Sequence, residues 1–117
     1  DFTMSLLTND EVNDVNQDPL GIQAYPVWQE NKQVIYAKHL EDGSMAIGFF
    51  NQDSQPAKMG ISLRQLGLRG EHTVRDLWQQ KDLMKTSDHF ETEVASHGVV
   101  LVKFLPGNSR AQITEKP

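Results

Sequence analysis

The sequence predicts an all-β protein: an antiparallel β-sandwich of seven to eight short strands with Greek-key-like connections, preceded by one short α-helix. Three observations predict this fold. Short apolar runs alternate with polar residues, and turn signals separate these runs every eight to twelve residues or so. Residues 98–105 are almost continuously apolar, which is typical of a strand in the middle of a sheet. Helical spacing occurs only before residue 21.

The helix carries clear start and stop signals. Thr8 and Glu11 stand at the N-cap and N3 positions of a capping box. Pro19 and Gly21 end the helix, because the residue before a proline avoids the helical region. A boundary between helical and β-type sequence therefore falls at residues 18–21. The apolar side chains around the helix are expected to cover the sandwich or to contact a neighbouring molecule: Phe2, Met4, Leu6, Leu7 and Val15.

Turn signals divide the β-type sequence into strands. Asp42 and Gly43 stand between two strand-like runs and predict a β-hairpin. Pro26 restricts the first strand to a sheet edge or to a strand start. Residues 64–70 are predicted to form a loop or a single helical turn, and residues 79–87 the longest irregular connection. The expected strands are residues 25–29, 33–40, 44–51, 57–63, 72–78, 90–95 and 98–105.

The amino-acid composition limits the classes of protein to which the chain could belong. The chain has 117 residues, of which 38% are hydrophobic and 23% are charged, so it suits one globular domain with a single core. The formal net charge of −5 argues against nucleic acid or an anionic membrane as a partner. No run is long and apolar enough to span a membrane. The lack of cysteine excludes disulfides and thiolate metal sites but leaves the compartment open.

No residue pattern predicts catalysis, a metal site or a cofactor. The nucleophile elbow, the phosphate-binding loop and the dinucleotide fingerprint are all missing from the sequence. Histidines stand singly, without the close spacing of a metal-binding pair. They are His39, His72, His89 and His97.

Aromatic side chains are the candidates for contact with a sugar ring. No sugar-binding residue is assigned, and Trp28 and Trp78 are the weak candidates, since packing in a core or between domains explains buried indoles more often. Arg75 and Asp76 are expected to take part in a cross-strand ion pair on the solvent face, which would contribute only about 0–1 kcal/mol.

Three parts of the chain resemble the α-galactosidase (melibiase) family of glycoside hydrolases, family 27. The first comprises residues 6–12, LLTNDEV, and residues 15–21, VNQDPLG. The second is residues 73–78, TVRDLW, and the third is residues 97–102, HGVVLV. These stretches fall in the family's order and cover most of residues 5–105.

The resemblance implies a domain organisation. Residues 1–21 would be the remnant of the final helix of a (β/α)8 barrel with its linker, and residues 22–106 a C-terminal β-sandwich domain. Residues 107–117 are expected to form a flexible tail. The family's two catalytic aspartates lie on earlier barrel strands, so the chain is expected to be a fragment that begins after them, and no catalytic residue is assigned to it.

The resemblance also implies a function. The expected partner is the catalytic barrel of the same parent protein, which the sandwich would stabilise. The parent would hydrolyse terminal α-linked galactose from galactosides with retention, without a metal or an organic cofactor.

Two other functions stay open from the sequence. A carbohydrate-binding β-sandwich module would need an exposed, coplanar aromatic platform. An immunoglobulin-like adhesion sandwich would leave the capped helix unexplained. The sequence does not separate galactose from N-acetylgalactosamine as the parent's sugar, and it leaves the oligomeric state unknown. The resemblance is compatible with a secreted, periplasmic or lysosomal parent.

Overall fold

Eight strands form two antiparallel sheets of unequal width in the computed structural model. The structure describes residue 11 and residues 24–106. Apart from Glu11, the predicted helix, its apolar neighbours and the predicted tail lie outside the described residues. A short 3₁₀ helix, Arg64–Leu66, precedes the fifth strand. The strands are β1 Tyr25–Glu30, β2 Gln33–His39, β3 Met45–Asn51, β4 Ala57–Ser62, β5 His72–Asp76, β6 Lys81–Thr86, β7 His89–Val94 and β8 Gly98–Pro106.

The larger sheet has six strands in the order β1-β2-β3-β8-β5-β6, and the smaller sheet pairs β4 with β7. Every pairing is antiparallel. The predicted antiparallel sandwich is therefore confirmed, and Pro26 lies on the edge strand β1, as expected. Among the described residues, no helix is long and apolar enough to cross a membrane.

The core fills the space between the two sheets. Phe90 on the small sheet contacts two rings of the large sheet, with centroid distances of 5.9 Å to Phe49 and 6.2 Å to Phe104. The small sheet also contributes Met59 and Ile61, each 3% exposed. Because side chains alternate along a strand, each strand gives the core every second residue. The fully buried residues of the large sheet are Ile35, Ile47, Phe49, Val74, Val102 and Phe104.

The predicted hairpin joins β2 and β3 through residues 40–44. Leu40 and Ser44 are hydrogen-bonded to each other, which leaves residues 41–43 as the loop. The Gly43 amide donates to the Leu40 carbonyl at 3.1 Å, and the Leu40 amide donates to the Ser44 carbonyl at 3.1 Å. Within this loop, only Gly43 has a positive φ, at 90°. Asp42 instead accepts hydrogen bonds at its carboxylate from the Ser44 amide, at 2.9 Å, and from the Ser44 hydroxyl. Gly43 therefore supplies the left-handed residue of the loop, and Asp42 acts through its side chain.

The prediction that residues 79–87 form an irregular connection is wrong. Most of that stretch is β6, an edge strand that pairs only with β5. Every residue of β6 except the last is exposed, including Leu83 at 42% and Met84 at 43%. Neither face of this strand is buried, so its sequence shows no alternation, and a strand without alternation gives no periodic signal.

The turn before β8 depends on two adjacent residues. Its positive φ, 54°, falls on His97 rather than on Gly98. Gly98 serves the turn through its small size. A Cβ atom there would lie 2.9 Å from the carbonyl oxygen of Ala95, to which the Gly98 amide donates a hydrogen bond.

Asn51 links the two sheets at the end of β3. Its side chain is 1% exposed. The Nδ2 atom donates to the carbonyl oxygens of Gln55, at 2.8 Å, and Val94, at 3.1 Å. The Oδ1 atom accepts from the Asp53 amide at 3.0 Å. One buried amide at the end of the large sheet therefore satisfies backbone groups of the small sheet, at Val94, and of the connection between β3 and β4.

We expect Asn51→Ala to lower the free energy of unfolding by about 1–3 kcal/mol, because it leaves buried carbonyl and amide groups without partners. Urea unfolding followed by circular dichroism measures this change. Gln52→Ala, at the neighbouring exposed position, is the control and should stay within about 0.5 kcal/mol of the unsubstituted chain. Equal stabilities for the two variants would contradict the bridging role of Asn51.

Candidate interdomain surface

The large sheet has a second face, turned away from the small sheet, which we call the outer face. Val74, Val102 and Ile47 point into the core, so their strand neighbours point outward. The outward set includes Ala46 on β3, Leu101 and Lys103 on β8, and Arg75 on β5, and the register places Arg75 directly opposite Lys103.

The outer face carries a second apolar cluster. Leu77 is fully buried, and Ala46 and Leu40 are 4% and 6% exposed. Trp78 and Leu101 pack against these three residues. The segment after β5 is held in place by a hydrogen bond of 3.0 Å from the Leu77 amide to the Leu101 carbonyl. A sandwich face turned to solvent is usually polar, so a buried apolar cluster here marks a surface built for packing.

A two-point ion pair joins this face to the N-terminal part of the chain. Arg75 donates from Nε to Oε1 of Glu11 and from Nη2 to Oε2 of Glu11, both at 2.8 Å. Its remaining hydrogen bonds reach Oδ1 of Asp82, at 3.0 Å, and the carbonyl of Gln80, at 2.8 Å. The planar guanidinium suits this forked contact, which a lysine would not reproduce.

The charges on the outer face stabilise one another. Hydrogen bonds from Arg75 lower the pKa of Glu11 despite its partial burial, and Lys103 contributes further attraction. The same contacts with Glu11 and Asp82 raise the pKa of Arg75. Burial acts to raise the pKa of Asp42, but hydrogen bonds from Ser44 and the Lys103 ammonium, 3.4 Å away, lower it overall. The carboxylates are therefore held in their charged form.

The expected ion pair of Arg75 and Asp76 is only half right. Arg75 does form a cross-strand pair, but its partner on β6 is Asp82. Asp76 is only 9% exposed and accepts a hydrogen bond of 2.9 Å from the Gln79 amide. Adjacent residues of a strand point to opposite faces, so these two side chains are separated by the sheet.

The two candidate tryptophans lie on opposite faces of the large sheet. Trp28 on β1 is half-buried and packs against the core between the sheets, whereas Trp78 packs against the outer cluster. The more exposed Tyr25 stacks on His39 with ring centroids 5.9 Å apart, and Tyr36 meets Phe50 edge-on at 5.7 Å. The two indoles therefore do not share one platform.

The histidines are also kept apart. His39 bonds Tyr25 at 3.1 Å, His72 lies 3.0 Å from the Gly70 carbonyl, and His89 lies 3.1 Å from Asp88. Within the described ranges, 11 and 24–106, no group of three or more His, Cys, Asp or Glu side chains is placed to hold a metal ion.

Fold and outer face together define an antiparallel β-sandwich whose large sheet carries an apolar cluster and a forked contact to Glu11 on its outer face. The comparisons identify its family. The chain belongs to the alpha galactosidase C-terminal beta sandwich domain family, whose model matches residues 30–104.

Relatives of this family include both curated and solved proteins. Alpha-galactosidase 3 of Arabidopsis thaliana is 36% identical over 110 residues, an alignment that covers 89% of this chain and 25% of that protein. Alpha-galactosidase I of Mortierella vinacea has a TM-score of 0.83 and 30% identity, covering 89% of this chain and 28% of that one. A family GH27 β-L-arabinopyranosidase of Geobacillus stearothermophilus has a TM-score of 0.86 and 32% identity, and the alignment covers 95% of this chain and 25% of that one. The chain thus spans about a quarter of the length of these relatives.

The ion pair predicts an acid-sensitive contribution to stability. Because the pKa of Glu11 in the folded chain lies below its ordinary value of 4.5, the unfolded chain binds the proton first as the pH falls. The contribution is therefore present above about pH 4.5 and is lost below it. Both side chains are 29% exposed, so we expect no more than about 1 kcal/mol.

Urea unfolding at neutral pH and at about pH 3.5 measures this contribution. Glu11→Gln should lose less stability than the unsubstituted chain over this interval, whereas Glu93→Gln, an exposed position on the small sheet, should match it. Identical pH profiles for the Glu11→Gln variant and the unsubstituted chain would contradict the ion pair.

The arrangement of the tryptophans predicts no optical response to galactosides. Since each indole packs against an apolar cluster, titration with methyl α-D-galactoside should leave the tryptophan emission unchanged. A saturable change that disappears in Trp28→Phe or Trp78→Phe would show a sugar-binding ring instead.

Proposed function

We propose that the chain is the non-catalytic C-terminal sandwich of an α-galactosidase-like retaining glycosidase and that it stabilises the catalytic (β/α)8 barrel by packing on it. Family membership and the short span relative to the relatives support this proposal. The observation that carries it is the outer face, where a buried apolar cluster adjoins the contact between Arg75 and Glu11. Glu11 belongs to the stretch that resembles the last barrel helix.

The two components of the outer face have different roles in this packing. Apolar burial supplies the free energy, at roughly 25 cal/mol for each Å² removed from water. A partly exposed ion pair adds no more than about 1 kcal/mol. Its forked geometry instead fixes the position of Glu11 on the sheet. Arg75 therefore acts as a positioning residue for the interface.

The chemistry of the parent would reside outside this chain. Retaining glycosidases use two carboxyl groups about 5–5.5 Å apart, one as nucleophile and one as acid and base. The parent would use such a pair to cleave terminal α-linked galactose from galactosides. A similar sandwich also occurs in the relative described as an arabinopyranosidase, which supports the view that the sandwich does not choose the sugar.

Two assays test the proposal. The chain alone should not hydrolyse p-nitrophenyl α-D-galactoside. In the full-length protein, Arg75→Glu should lower Tm by at least about 2 °C, because it places like charges opposite Glu11, while KM stays unchanged.

Lys32→Glu is the matched control, since it makes the same charge change at an exposed position in the turn between β1 and β2. It should leave both Tm and KM unchanged. Turnover by the isolated chain would refute the non-catalytic role. An unchanged Tm in the Arg75→Glu protein would refute the positioning role of Arg75.

A further inference from the structure

A groove at one end of the sandwich is lined by two arginines that do not belong to the outer face. It has a volume of about 850 Å³ and lies between the loop that follows β4 and the turn that joins β6 to β7. Arg64 and Arg69 line it from the loop, and Ser87 and Asp88 line it from the turn. Pockets of this size accommodate small organic ligands. The groove is at the end of β5 where His72 lies, whereas Arg75 is near the other end.

The loop that carries the arginines is rigidly held. The Leu63 amide donates to the Asp88 carbonyl at 2.9 Å, which ties the two walls of the groove together. Leu66 is buried and anchors the loop to the core. Gly67 and Gly70 adopt positive φ values of 76° and 79°, so the backbone takes turns that other residues rarely make. The groove is therefore preformed.

The arginines of the groove differ from the other arginine of the sandwich. Arg75 is fully occupied by Glu11, Asp82 and the Gln80 carbonyl. Arg64 and Arg69 are exposed, and within the part of the chain that the structure describes neither forms an ion pair. Two like charges at one groove, on a chain of net charge −5, favour an anionic ligand that accepts hydrogen bonds in a planar, forked manner.

The rest of the lining narrows the class of anion. Asp88 places a carboxylate on the opposite wall, where it repels a bare anion but accepts hydrogen bonds from hydroxyl groups. Ser87 adds a hydroxyl that both donates and accepts. Leu68 is half-buried and offers an apolar surface for the C–H face of a ring. A ligand with one carboxylate, several hydroxyls and an apolar ring face matches all of these groups.

We propose that this groove binds a uronic acid residue of an acidic saccharide. The sugar carboxylate pairs with Arg64 and Arg69, the hydroxyls face Ser87 and Asp88, and the ring lies on Leu68. The site is independent of the outer face, since the groove and the outer face share no residue. The binding involves no covalent step.

A titration followed by the amide resonances of the intact, ¹⁵N-labelled chain tests this proposal. The probe is methyl β-D-glucuronide, and its neutral counterpart is methyl β-D-glucoside, which carries a hydroxymethyl group in place of the carboxylate. We expect saturable shifts at residues 62–70 and 87–88, with a Kd in the millimolar range. The glucoside should bind at least about tenfold more weakly, as the loss of a charge-assisted contact implies.

Substitutions assign the contact to the arginines. Arg64→Gln and Arg69→Gln should each weaken glucuronide binding about fivefold or more, and Arg64→Lys should fall between Arg64→Gln and the unsubstituted chain. Lys58→Gln, which removes a positive charge elsewhere on the surface, should leave the affinity unchanged. The amide spectrum of each variant without ligand shows whether it has folded.

Four results would overturn the proposal. They are an absence of shifts with glucuronide, shifts that lie outside the groove, equal affinity for the glucoside, and an equal response to sodium sulfate at the same ionic strength. The last would show a groove that holds any anion rather than an acidic sugar.

Discussion

The structure depends on a central strand, β3, that is buried on both faces of the large sheet. Six of its seven residues are buried and the other is half-buried. The small sheet accounts for one face only, by packing Phe90 between Phe49 and Phe104. The outer face does not contact the small sheet, and it is covered instead at its buried apolar cluster and at the ion pair of Arg75 with Glu11. A strand in the middle of such a sheet is apolar throughout.

This constraint connects the fold to the proposed role. A sandwich with a polar outer face would need no apolar cover there, whereas this one buries Leu40, Ala46 and Leu77 on the side away from the small sheet. Because the ion pair of Arg75 and Glu11 is partly exposed, it contributes orientation more than energy. The domain is thus suited to hold a neighbouring domain in a defined position. The groove at the other end remains available for a separate ligand.

The sequence predicted the parts of the fold that follow from local rules. The hairpin at Gly43 follows from turn chemistry, and the strand predicted at residues 57–63 follows from alternation. Strand β6 was missed because neither of its faces is buried, so its sequence lacks the periodicity that burial imposes. The family could be identified from short stretches, of which residues 73–78 and 97–102 fall on or beside β5 and β8, two inner strands of the large sheet.

The candidate site was much less predictable than the fold. The contact between Glu11 and Arg75 joins residues that are 64 positions apart, and no local pattern indicates such a pair. Arg75 and Asp76 are adjacent in the chain, yet the sheet separates them. Trp28 and Trp78 were weak candidates for sugar binding in the sequence, and their division between two faces of the sheet follows from strand register. Pairing across strands determines which side chains meet.

A double-mutant cycle on Glu11 and Arg75 tests the central claim most directly. The free energy of unfolding would be measured in urea for the unsubstituted chain, Glu11→Gln, Arg75→Gln and the double variant. If the N-terminal segment is anchored to the outer face, the coupling free energy should be about 0.5–1 kcal/mol at low salt and should shrink as salt is added. Strict additivity of the two substitutions at low salt would contradict this account.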